Sequence, residues 1–218
     1  MPYRYLTFDC YGTLIDWKTG IENELRSVLG DIGLGGQELL EAYGVAERRE
    51  ESDYKIYREV LRRTVFSMSK EFGVEVSEEA ASRFAASVPR WPVFPDTARF
   101  LRDMGSRGYK RYILSNVDND LLGGTIRNSG LEIDGFVTAE EVRSYKPSAA
   151  HWEEFFRRTG SKKEEVLHVA QSIYHDIVPT QQLGIASAWV NRYGGRLPAN
   201  VSPSIISDGL DSLAKVIE

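Results

Sequence analysis

Residues Tyr5-Leu6-Thr7-Phe8-Asp9-Cys10-Tyr11-Gly12-Thr13-Leu14-Ile15-Asp16 decide how the rest of this chain is read. A short run of apolar and aromatic residues ends on a carboxylate, and a glycine and a threonine follow at once. Strand formers that stop at a glycine-containing turn predict a β-strand whose C-terminal end presents Asp9. In open α/β sheets, sites lie beyond the C-terminal ends of strands. A carboxylate held there can serve as a covalent nucleophile, because Asp and Glu form ester and acyl-phosphate intermediates. It can equally be a strand-end residue that caps the next turn.

Outward from this stretch the pattern changes twice. Residues 3–9 read as a strand, and from about Trp17 to Val88 the periodicity is helical, with no strand run. Glu47–Met68 is the clearest helical stretch, with Tyr54, Tyr57, Leu61 and Val65 recurring at helical spacing among Arg, Lys and Glu. Pro89-Arg90-Trp91-Pro92-Val93-Phe94-Pro95 cannot continue a helix. Beyond it, strands alternate with helices. Strands are expected at Lys110–Ser115, Gly135–Thr138, Val166–Ala170 and Ala186–Asn191, with a last one at Ile205–Ser207. Helices are expected at Ala149–Thr159 and Asp176–Leu183. Such alternation predicts an α/β fold with a parallel sheet covered on both faces. The expected organisation is a core domain of residues 1–16 and 89–218, interrupted after its first strand by a helical cap of residues 17–88.

Composition narrows the function. A chain of 218 residues can bury a sizeable core. A net charge of −5 argues against nucleic acid as the main partner. No apolar run approaches the roughly 18 residues that span a bilayer, and no secretory signal opens the chain. The single cysteine, Cys10, excludes an internal disulfide and fits a reducing cytoplasm. Cys10 could be a nucleophile beside Asp9, but with no histidine near it in sequence it reads better as buried filler. The sequence leaves the oligomeric state open, a homodimer included.

Several expected strands end on polar residues: Asp9, then Ser115-Asn116, then Gln171-Ser172 with Asp176 soon after. Lys146 lies in the loop Arg143-Ser144-Tyr145-Lys146-Pro147. In a parallel sheet these ends share one edge, so the groups can converge on an electronegative leaving group. Singly, each has a plainer reading: a turn start, a solvated loop lysine, a helix-start aspartate favoured by the helix dipole. Together they favour a site.

These residues resemble the haloacid dehalogenase superfamily of aspartate-nucleophile hydrolases, and most of all its 2-haloacid dehalogenase (type II) branch. The matching pieces are Phe8-Asp9-Cys10-Tyr11-Gly12-Thr13, Leu114-Ser115-Asn116, Ser144-Tyr145-Lys146-Pro147 and Ser172…Asp176. The resemblance implies a Rossmann-like core and a cap that closes over the substrate. It implies Asp9 as nucleophile, with Thr13 holding its turn and Lys146 offsetting negative charge. Asp176 would position or activate the hydrolytic water. Ser115 and Asn116 would bind the substrate carboxylate or the leaving group, and the expected substrate-binding set adds Tyr11, Thr13, Ser172 and, from the cap, Arg48.

The chemistry separates two branches. Phosphatases of the superfamily carry a second Asp two residues after the nucleophile to protonate a leaving alkoxide. Here that position is Tyr11. They also place acidic residues after the fourth strand to hold Mg²⁺, where this chain reads Ala170-Gln171-Ser172. Halide leaves unprotonated and needs neither part. The expectation is therefore a metal-independent hydrolase of a short 2-haloacid or another small anionic substrate. The first alternative is a phosphatase holding Mg²⁺ through Asp9, the Tyr11 carbonyl and Asp176. The second is a non-catalytic relative that binds an anion or a protein partner. Three departures stand out: near the place of the family's cap arginine stand Arg48 and Arg49, which can equally form solvated pairs with Glu47, Glu51 or Asp53; Trp152 replaces a family tyrosine; and the Ser172-to-Asp176 spacing is closer to the phosphatase layout. His175 is either a base or a histidine packed on Tyr174. As a loop lysine, Lys146 is expected to add little stability.

Overall fold

The computed structural model describes residues 3–217. At its centre is a parallel sheet of six strands: β1 Tyr5–Phe8, β2 Lys110–Ser115, β3 Gly135–Thr138, β4 Val166–Ala170, β5 Ala186–Val190 and β6 Ile205–Ser207. Their order across the sheet is β3-β2-β1-β4-β5-β6, the doubly wound Rossmann-like arrangement. Every residue of β1 and β4 is buried, as expected of strands covered on both faces. β1 is the pivot, with Phe8 level with Ile113 of β2 on one side and Val169 of β4 on the other. The chain winds outward from β1 to β3, then crosses to β4 and winds the other way. Side chains at the ends of β1, β2 and β4 therefore meet at the crevice where the winding reverses.

Between β1 and the proline-rich connector lie four helices and no strand: α1 Trp17–Leu29, α2 Gly36–Glu50, α3 Tyr57–Phe72 and α4 Glu78–Ala85. The core helices are α5 Thr97–Ser106, α6 Asn119–Ser129, α7 Ala139–Val142, α8 Ala150–Thr159, α9 Val178–Leu183 and α10 Leu210–Leu213. The expected strands match within a residue, apart from the first, which is shorter at its start.

The helical stretch expected over Glu47–Met68 is broken. α2 stops at Glu50 and α3 begins at Tyr57, so Tyr54 lies in the turn, its ring 5.5 Å from that of Tyr145. Two contacts hold the break open. Lys55 donates to the carbonyls of Glu50 and Asp53, satisfying the end of α2. Asp118, just before α6, accepts from the backbone N–H groups of Tyr57 (2.6 Å) and Arg58 (2.8 Å) and so caps α3 from the core. Ser52-Asp53 is the local turn signal in the sequence. Among the described residues no helix is long and apolar enough to cross a membrane.

Candidate active site

β1 delivers Asp9 into a tight turn. Gly12 adopts φ +105°, and a Cβ there would meet the Trp17 indole at 3.0 Å. Glycine is the residue that fits both demands. Thr13 donates its hydroxyl to Asp9 Oδ2 (2.9 Å) and accepts the backbone N–H of Gln171 (2.9 Å), joining the ends of β1 and β4. From behind, Arg192 donates to the Thr13 carbonyl (2.9 Å) while paired with Asp96 (2.8 Å).

The other oxygen of Asp9 faces Lys146. Lys146 Nζ lies 3.0 Å from Asp9 Oδ1, 2.7 Å from Asp176 Oδ1 and 2.8 Å from the Leu114 carbonyl, so three acceptors take up its donors. Asn116 fixes the loop by a reciprocal pair: its amide donates to the Lys146 carbonyl (3.1 Å) and its Oδ1 accepts the Lys146 N–H (2.7 Å). The Lys146–Pro147 peptide is cis. Lys146 is only 2% exposed, which corrects the expectation of a lysine adding little stability. Removing one partner from a buried ion pair typically costs about 3–5 kcal/mol.

Asp176 sits deeper still, with no exposed surface. Its Oδ1 also contacts His168 Nε2 (2.9 Å), whose Nδ1 lies 2.9 Å from the Thr7 hydroxyl. A continuous polar chain thus runs Thr7–His168–Asp176–Lys146–Asp9. Burial opposes ionisation of Asp176, but the Lys146 charge and the His168 contact outweigh it and hold the carboxyl well below its usual range. Burial would likewise lower Lys146, but Asp176 and Asp9 raise it above its ordinary value. Asp9 moves up, chiefly through burial, with Lys146 pulling against that and Asp176 adding to it.

A cavity of about 430 Å³ opens over Asp9. Asp9, Tyr11, Ser115, Asn116, Lys146, Ser172 and Arg48 all line it. Thr13 and Asp176, expected in contact with substrate and water, do not: each is wholly buried, Thr13 beneath Asp9 and Asp176 behind Lys146. The Tyr11 hydroxyl is tied to Thr125 (2.8 Å), and the Ser115 hydroxyl has no partner among the described residues. His175 combines both readings of it. Its ring lies 4.9 Å from that of Tyr174, and it also lines the cavity, 3.2 Å from the Ser172 hydroxyl. Burial lowers its pKa, which favours the neutral ring.

His168 and Arg192 escaped the sequence reading, as did Glu47 and Glu51 in the cavity wall. A histidine within the apolar strand Val-Leu-His-Val-Ala was the available signal for the first.

A strand-end aspartate, a lysine reaching it from a later loop and a cavity walled in part by the helical insert thus meet at one edge of the sheet. The chain belongs to the haloacid dehalogenase-like hydrolase family, whose sequence profile matches residues 3–181. It is similar to haloacetate dehalogenase H-2 of Moraxella sp. (strain B), 26% identical over 195 residues covering 87% of this chain and 86% of the relative. It is also similar to (S)-2-haloacid dehalogenase 1 of Pseudomonas sp. (strain CBS-3), 25% identical over 204 residues covering 88% and 86%. The solved L-2-haloacid dehalogenase of Xanthobacter autotrophicus, with chloropropionic acid covalently bound, shares the fold at TM-score 0.85, with 21% identity and 98% of each chain covered.

Proposed function

We propose that this chain is a hydrolytic dehalogenase of small 2-haloacids that works through an aspartyl ester without a metal ion. The observation that carries this reading is the Lys146 ammonium, 3.0 Å from Asp9 and 2.7 Å from Asp176. It stands between the two carboxylates that the phosphatase alternative assigns to Mg²⁺. With Asp176 Oδ1 also in contact with His168 and the residue wholly buried, this donor set does not fit an octahedral ion that keeps several waters.

In this mechanism an ionised Asp9 oxygen attacks the carbon bearing the halogen. The carbon–halogen electron pair leaves with halide, which needs no proton, in keeping with Tyr11 in place of a second acid. Water then attacks the ester carbonyl carbon. His175, neutral and in the cavity wall, takes the water proton and returns it to the departing alkoxide. The Asp9 carboxyl ionises again and the hydroxyacid leaves. Asp176 acts through Lys146 rather than on water. Residues 17–88 serve as the cap, and Arg48, Ser115 and Asn116 face the substrate. The single cysteine, Cys10, is buried, which fits a cytoplasmic setting.

A panel of 2-haloacids and phosphate monoesters, assayed for halide and phosphate release with and without EDTA, tests the reading. Halide release from the haloacids, unchanged by EDTA, is expected. Phosphate release that EDTA abolishes and Mg²⁺ restores would overturn it, and no turnover on either class would favour the binding-only alternative.

A further inference from the structure

Asp176 does all its side-chain bonding through one oxygen. Oδ1 takes both the Lys146 ammonium (2.7 Å) and His168 Nε2 (2.9 Å), while Oδ2, also buried, has no partner among the described residues. This asymmetry matters for Lys146. An ammonium has three donors, and here they go to Asp176, Asp9 and the Leu114 carbonyl. Were Asp176 to turn and offer its second oxygen as well, Lys146 would have to release Asp9 or Leu114 to take it. Release of Asp9 would leave that carboxylate without its counter-charge.

His168 is placed to oppose that turn. It has no exposed surface and lies in the middle of β4, in register with Thr7 of β1 and Ser187 of β5. The indole of Trp152 on α8 packs against its ring, with centroids 5.3 Å apart and planes at 71°. The Thr7 hydroxyl lies 2.9 Å from Nδ1. Packing and both ring nitrogens therefore fix the imidazole. An ionised carboxylate only accepts, so Nε2 carries a hydrogen and donates it to Oδ1. The contacts leave β1 at Thr7, pass through His168, Asp176 and Lys146, and return to the end of β1 at Asp9. No member of that circuit turns without breaking a bond.

We propose that His168, steadied by Thr7, is a positioning residue for the reaction: by holding Asp176 Oδ1 it keeps the Lys146 ammonium on Asp9. The role in turnover rests on the dehalogenase reading; the geometry of the ring does not.

Two amide substitutions separate this role from packing. His168→Asn is long enough to meet Thr7 and too short to meet Asp176, whereas His168→Gln reaches Asp176. Halide release by full-length His168→Asn should show kcat lowered at least about tenfold with KM held within about twofold, and His168→Gln should recover most of the loss. A residue that only fills space would not tell the two amides apart in kcat. Thr7→Val, of nearly the same size and outside β4, should lower kcat in the same sense. Two further measurements need no turnover. The ¹⁵N spectrum of the 3 histidine rings should show the His168 hydrogen on Nε2. A crystal structure of His168→Asn should show both Asp176 oxygens on Lys146 and Asp9 without the ammonium. A hydrogen on Nδ1 alone, an unchanged Asp9–Lys146 contact in His168→Asn, equal kcat in the two amide variants, or full activity in Thr7→Val would each overturn the proposal. A wild-type protein that releases no halide would instead overturn the reaction, and the spectrum and the variant structure would still decide what holds Lys146 in place.

Discussion

Lys146 is the residue on which the charges of the site turn. It is buried between two carboxylates and lines the cavity. Lys146→Met leaves Asp9 and Asp176 facing each other without a counter-ion. We expect kcat for halide release to fall by at least about a hundredfold and stability to drop by about 3–5 kcal/mol in urea unfolding. Lys146→Arg should fail as well, since a planar fork cannot replace a point charge with three acceptors already in place. Near-normal turnover by either variant would contradict the assignment. At this scale the sequence was legible where a signal is local: Asp9 and Asn116 each follow a strand run, Ser115 ends one, and Lys146 precedes a proline. It was not legible where partners are distant. Thr7 meets His168 across 161 positions because parallel pairing sets them side by side, and Arg192 braces the Asp9 turn across 179.

At the scale of elements, the break between α2 and α3 was hidden because the apolar period runs on through Ser52-Asp53. What ends one helix and starts the next is the carboxylate of Asp118, which no periodicity near residue 55 can reveal. The break has a consequence for the site. It ends α2 at Glu50 and lets Tyr57 of α3 reach Glu47. Asp118→Ala should therefore cost about 1–2 kcal/mol, the usual range for a lost cap. In a chain of this size that lowers Tm by roughly 2–8 °C, readable in a thermal melt. An unchanged Tm would show that the cap from the core is dispensable. The core strands, by contrast, were legible almost to the residue, since buried parallel strands are short apolar runs between turn residues.

For the whole molecule, the winding reversal at β1 and β4 gathers groups from three strand ends, and burial makes their protonation part of stability. His151 has no exposed surface; its Nε2 donates to the Ser115 carbonyl (3.1 Å), and its Nδ1 has no partner among the described residues. Burial, aided by the Lys146 charge, lowers its pKa from 6.5 to about 3. Between those values the unfolded chain binds a proton at His151 that the folded chain does not. Stability from this group is therefore present above about pH 6.5 and lost as pH falls, by up to about 1.4 kcal/mol per unit. Urea unfolding at pH 7 and pH 5 should show a loss about 1–2 kcal/mol larger in the wild type than in His151→Gln. Equal losses would contradict this account of the buried histidine.

The central claim is that Asp9 attacks the substrate carbon. A single-turnover reaction with excess enzyme and a 2-haloacid in ¹⁸O-water, followed by mass spectrometry of product and protein, tests it most directly. An ester route predicts a hydroxyacid whose new oxygen is unlabelled, because it comes from Asp9, and label appearing in the peptide that contains Asp9. Label arriving in the product on that first turnover, with Asp9 unlabelled, would mean that water attacks the carbon directly and would contradict the account.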